Sequence, residues 1–243
     1  MTPKRESGAS THSEQLAHLR LLHLADSALP IGSLAHSFGL ETLVSTELLQ
    51  VGDLPEFLRG YLHEAGMLET VACREAFHLT QVEGKDFDAE RWVELNDCLS
   101  ALKSARESRA ASATLGRNFL HTVLGVENSY VLREAREASL KSESVIHQSA
   151  AFGLVSGALG FEETRAVLAY LHQMSACILS ACQRLMPLGQ TGATRILWNL
   201  KPAIVEAVAG SASLALETVS CTMPLLDWGA MEHPALATRL FVT

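Results

Sequence analysis

The chain is poor in the residues that build strands. Its 243 residues hold only 15 Val and 5 Ile, against 39 Leu and 32 Ala. Leucine and alanine favour helix, whereas β-branched side chains favour the pleated sheet, so the composition predicts an all-α protein. Basic charge is scarce as well. Nineteen Lys and Arg face 27 Asp and Glu, a net charge of −8, and no cationic stripe is visible. Phosphate backbones demand clustered Lys and Arg, so no nucleic-acid partner is expected. No run of ~18 uncharged apolar residues occurs, so no membrane span is expected either.

Chemical signatures are missing too. There is no GxxxxGK[ST], GxGxxG, HExxH, CxxC or GxSxG pattern, each of which places reactive or phosphate-binding groups at a fixed local geometry. The ten histidines are dispersed and form no tight ligand cluster in sequence. The five cysteines, Cys73, Cys98, Cys177, Cys182 and Cys221, are odd in number, scattered and set in apolar helical sequence. That usage suits reduced thiols and a cytoplasmic location. The absences fit a protein that positions other proteins, with no cofactor or metal of its own.

What is present is a large apolar fraction, 48%, enough to bury a substantial core. Residues 1–12 are polar, lack an apolar signal core and are expected to form a flexible tail. A first helix is expected over 13–28, with Leu16, Leu19, Leu22 and Leu24 on or near one face. Pro30 then turns the chain, and Gly32 and Gly39 bracket small and polar residues before a second helix over 37–49. Asp53-Leu54-Pro55-Glu56 reads as a helix start, opening a helix to about Gln81, with a loop at Gly84-Lys85-Asp86. Trp92, Leu95, Leu99 and Leu102 recur at helical spacing within one long pattern from Asp88 to Leu124. Residues 129–140 read as a short exposed helix or a loop. Further helices are expected over 144–159, 162–185, 190–200 and 202–221, followed by an irregular tail marked by Pro224, Gly229 and Pro234. The helix over 162–185 is apolar on most sides, the pattern of a central helix. The expectation is a single-domain compact bundle of about eight to ten helices.

Two segments share a helix, break and restart pattern: Ala25 to Glu41, containing Leu29-Pro30-Ile31-Gly32, and Arg184 to Gly192, containing Pro187-Leu188-Gly189-Gln190-Thr191. Together they resemble the urease accessory protein UreF family. Leu99 to Gly116 is similar to that family's Arg/Glu-rich central helix, Ala150 to Gly160 to its Ala-Phe-Gly helix, and Arg239-Leu240-Phe241 to its C-terminal ending. Glu232-His233-Pro234 and Ala235 to Thr238 depart from the family's tail pattern. The resemblance implies a non-enzymatic chaperone subunit, with 13–221 as the UreF-like domain and 222–243 as a C-terminal partner-docking tail. It implies a UreD/UreH-type accessory protein, a UreG-type GTPase and apo-urease as partners, GTP-dependent nickel delivery, and a homodimer.

Nine residues are candidates for partner binding, each with a structural alternative. His36 and Glu41 flank Gly39; they either cap the second helix and its turn or place an acid–base pair in a cleft, the arrangement that a helical enzyme or a small-ligand-binding protein would use. Arg106 and Arg109 lie with Glu107 in one helical turn, on a solvated or a partner-binding face. Arg184 complements a helix C-terminus or contacts a partner, and Gln190 caps the restarting helix or joins that contact. His233 either stays free or meets a metal. Arg239 and Phe241 are expected to anchor the tail on a partner rather than on the chain's own domain, because Arg and aromatics are favoured at interface hot spots.

Overall fold

The computed structural model describes residues 6–80 and 87–243. Residues 1–5 of the expected tail and the expected Gly84–Asp86 loop lie outside the described residues. Among those described there are no strands, and the fold is all-α. Ten helices have ten residues or more: α1 (Glu6–Leu24), α3 (Leu54–His63), α4 (Ala65–His78), α5 (Ala89–Leu102), α6 (Arg106–Leu124), α7 (Tyr130–Ser142), α8 (Gln148–Ala158), α9 (Glu163–Leu185), α10 (Gln190–Asn199) and α11 (Lys201–Gly210). Two are shorter, α2 (Leu40–Ser45) and α12 (Pro224–Glu232).

Two helices form the centre. In α8 every residue from Ser149 to Gly157 is buried. Its small side chains allow close approach: a Cβ on Gly153 would lie 1.9 Å from the Cys73 carbonyl oxygen of α4. Gly116 of α6 is as tightly placed, 2.1 Å from the Ile146 carbonyl. The glycines therefore let α4 and α6 clamp α8 backbone to backbone. Beside it runs α9, in which no residue from Ala166 to Gln183 is exposed. That is the central helix its apolar circumference predicts. Glu162 caps it, accepting from the Thr164 and Arg165 amides at 2.9 Å. Phe152 stacks between Phe119 and Tyr170, with centroids 5.4 and 5.3 Å away.

Several boundaries differ from the sequence expectation, for tertiary reasons. Helix α1 begins at Glu6, so the expected tail is helical over residues 6–12. The expected helix from Asp53 breaks at Glu64, neither Pro nor Gly, into α3 and α4. Asp53 does not cap α3; its carboxylate accepts from the Gln50 amide at 3.0 Å. The long 88–124 pattern breaks at Lys103–Ala105, where Lys103 leaves the helix to pair with buried Glu69. Burial alone would raise the Glu69 carboxyl, but the Lys103 ammonium holds it below the usual carboxylate range. Residues 130–142 are fully helical. Beyond Gly210 the chain makes two 3-10 turns. The tail is less irregular than expected: Pro224 opens α12 at its first position, where a missing N–H costs nothing.

Candidate functional site

The Pro-Gly loop of residues 25–39, the C-terminal end of α9 and the last residues of the chain meet on one side of the bundle. The loop is shaped by left-handed backbone at Gly32 (φ 92°), Phe38 (φ 53°) and Gly39 (φ 91°). Gly39 is required there for a second reason. A Cβ on it would lie 2.6 Å from the Leu226 carbonyl and 2.7 Å from the Ala230 amide of α12. Thr42 clamps the same crossing, donating to the Gly229 carbonyl at 2.7 Å.

The chain end then folds back over α2. Glu41, 5% exposed, accepts from the backbone amides of Leu240 (2.6 Å) and Phe241 (3.1 Å). Its Oε2 also faces His233 Nε2 at 2.9 Å. His233 is 0% exposed, and its other ring nitrogen lies 3.1 Å from Glu107 Oε2 of α6, close but without hydrogen-bond alignment. Val242 donates to the Ala35 carbonyl at 2.9 Å, and Thr243 meets His36 Nδ1 at 2.7 Å. Burial holds the His36 imidazole below its ordinary value, so this ring is predominantly neutral near pH 7.

Arg184 closes the arrangement. Its guanidinium donates to the Leu34 carbonyl at 2.6 Å and lies 4.2 Å from the centre of the buried Phe241 ring. Around it is a groove of about 470 Å³, lined by Leu29, Pro30, Leu34, Arg184, Leu240 and Val242 among others. Leu34, Leu240 and Val242 are exposed there. An Arg flanked by exposed apolar side chains on a rigid rim is the composition of an interface rather than of a solvated surface.

Five of the nine sequence candidates therefore come together: His36, Glu41, Arg184, His233 and Phe241. The geometry corrects how they were read. His36 and Glu41 do not open into a cleft; both are buried and committed to the chain end. His233 faces two carboxylates, and among the described residues no group of three or more His, Cys, Asp and Glu is gathered as a metal site. Phe241 is packed on its own domain, contrary to the expectation of a tail ordered only by a partner, because Glu41 satisfies the amides that the turn of the chain leaves unpaired. Arg239 is exposed beside this seam, and Gln190 is exposed in the first turn of α10. Arg106 is exposed at the first turn of α6, next to Glu107, while Arg109 donates to the carbonyls of Lys103 (2.6 Å) and Ser104 (2.8 Å) and so ties the α5–α6 break. Sequence reasoning missed Thr243, which carries no local signal, and read Glu107 only as part of the charged turn with Arg106 and Arg109; its place beside His233 comes only through the fold.

An interior cavity of about 110 Å³, lined by Tyr61, Glu69, Tyr170, Cys177 and Cys221 among others, lies elsewhere and does not include His36 or Glu41. It is small beside ligand pockets of about 300–1,000 Å³. All five cysteines are free thiols, and among the described residues no helix is long and apolar enough to cross a membrane.

A family model described as UreF matches residues 50–201. The urease accessory protein UreF of Nostoc sp. is 32% identical over 225 residues, 92% of this chain and 94% of that protein. Its counterpart from Haemophilus influenzae is 30% identical over 237 residues, 97% of this chain and 100% of that protein. That of Actinobacillus pleuropneumoniae serotype 5b is 28% identical over 224 residues, 92% and 97%.

Proposed function

This chain belongs to the UreF family of urease accessory proteins, and from that premise we propose that it is a non-catalytic scaffold in urease maturation. With a UreD/UreH-type accessory protein it recruits a UreG-type GTPase, and the complex delivers nickel to apo-urease in the cytoplasm. The nucleotide chemistry belongs to the GTPase. The scaffold contributes by binding one nucleotide state of that enzyme more tightly than the other, which is how a binder shifts an equilibrium. In this reading the free chain is a homodimer, and the exposed Trp198 and Val205 on α10 and α11 are available to such a contact.

The observation that carries the reading is the rim at Arg184. Three separated segments are locked there into one surface that exposes Leu34, Leu240 and Val242 around a guanidinium. The locked chain end changes the role expected for residues 222–243. The tail presents its exposed edge, with Arg239 beside it, as part of a preformed face, so binding does not have to repay the ordering cost of a free segment.

Co-purification with the two accessory partners tests this. Arg184→Ala removes an exposed side chain, so the melting temperature should fall by no more than about 4 °C, the shift for roughly 1 kcal/mol in a domain of this size. Loss of an interface hot spot of about 2 kcal/mol corresponds to roughly 30-fold weaker recruitment. The mass of the free chain on the same column reads its oligomeric state. Unchanged partner recovery with Arg184→Ala, and with Leu240→Asp and Val242→Asp, would remove this face from the proposal.

A further inference from the structure

A second surface lies between α6 and α7, outside the seam described above. Arg117 and His121 stand one turn apart on α6, and Arg136 and Leu140 one turn apart on α7. With Val145 and Ile146 they line a groove of about 640 Å³, which also includes the carboxylate of Glu143. Neither Arg117 nor Arg136 makes a side-chain hydrogen bond or ion pair with any described residue. Both are exposed, and Leu140 of the same lining is 69% exposed. The floor is fixed: Asn118 donates to the Ile31 carbonyl at 3.0 Å, and Ile146 is buried.

The chain as a whole carries 27 acidic side chains and a net charge of −8, whereas this groove gathers two guanidinium groups and one carboxylate, Glu143, in its lining. We propose that the α6–α7 groove is a docking site for an acidic, partly apolar segment of a partner protein. The two guanidinium groups match carboxylates in fork geometry. Leu140 and Val145 supply apolar area that a small inorganic anion would leave exposed. The acidic remainder of the surface repels such a segment, which directs it to this groove and makes its association salt-dependent.

The test uses the full chain and a fluorescein-labelled amphipathic peptide of Glu, Leu and Ala, read by fluorescence anisotropy. A counterpart with Lys at every Glu position and a single-stranded DNA oligonucleotide of the same net charge serve as controls. The acidic peptide should bind, weaken as salt rises from 50 to ~300 mM (roughly a halving of the screening length), and lose at least tenfold in affinity with R117E/R136E. Leu140→Ala should weaken it by several-fold. Circular dichroism melts of these variants should match the parent, because the side chains are exposed. No binding of the acidic peptide, equal binding of the Lys peptide, or equal binding to R117E/R136E overturns the proposal. Preferential binding of the DNA overturns it in favour of a phosphate-reading groove. None of these measurements involves a urease partner, so their failure leaves the proposed function standing.

Discussion

Replacing Glu41 by Ala should unlatch the chain end. In the folded protein its two carboxylate oxygens engage two backbone amides and the His233 ring, at a site only 5% exposed. Hydrogen bonds to a charged group contribute about 1.5–3 kcal/mol each. They are not additive when they share an acceptor, so the three contacts together are set at about two such bonds, roughly 3–5 kcal/mol. Two routes can express that loss. If the chain end and the bundle unfold together, the melting temperature falls by roughly 6–20 °C. If the chain end peels away first, the bundle loses what the end contributes beyond the Glu41 contacts. That is mainly Phe241 burial, about 1.5–3 kcal/mol, and the stacked Arg184, about 0.5–1 kcal/mol. In both routes, the amides of Leu240 and Phe241 should lose at least about 100-fold in hydrogen-exchange protection, the lower end of 3–5 kcal/mol at 1.4 kcal/mol per factor of ten. Glu41→Gln should fall between wild type and Ala, since it keeps acceptor capacity and loses charge. Unchanged protection at residues 240–241, with a melting temperature within about 2 °C of wild type, would refute the latch. The same reasoning revises the expectation for deleting residues 236–243. Beyond any effect on partners, the deletion should expose Glu41 and destabilise the chain.

Two further outcomes follow from the core. Gly153→Ala would favour helix on a free surface, but here its methyl meets the Cys73 carbonyl at 1.9 Å. Overpacking of about 1–3 kcal/mol or more should outweigh the helix gain of about 1 kcal/mol, and a raised melting temperature would show that α4 and α8 are not clamped there. His147 is fully buried between Ser100 and Ser112 (2.9 and 3.0 Å), and burial, aided by the Lys103 charge, pushes its imidazole from 6.5 down to about 4. Between those values the unfolded chain binds the additional proton, so stability rises with pH across the window. The contribution, roughly 3 kcal/mol, is complete above 6.5 and is lost progressively as pH falls towards 4. His147→Gln should flatten the dependence of melting temperature on pH between 6.5 and 4.5, and parallel curves for the two proteins would contradict the assignment.

Much of this protein was readable before folding because its signals are local. The Leu and Ala excess determined an all-α chain, since propensity and apolar periodicity act within a turn or two. Pro187 and Pro202 marked real boundaries because a proline restricts its neighbour wherever it stands, whereas α1 ends at Leu24, ahead of Pro30. The order of short motifs also carried the family. What the tertiary structure alone decided is where long-range demands overrule local ones. Lys103 leaves its helix because buried Glu69, far earlier in the chain, needs a cation more than α5 needs another turn. The tail packs on its own domain because Glu41 offers acceptors nearly 200 residues away to amides that its own sequence leaves unsatisfied, and no local pattern encodes that distance. Thr243 was invisible for the same reason, as was the partner of Glu107. A buried polar group finds its partner in three dimensions, and the free energy of leaving it unpaired selects an arrangement that no stretch of this chain specifies alone.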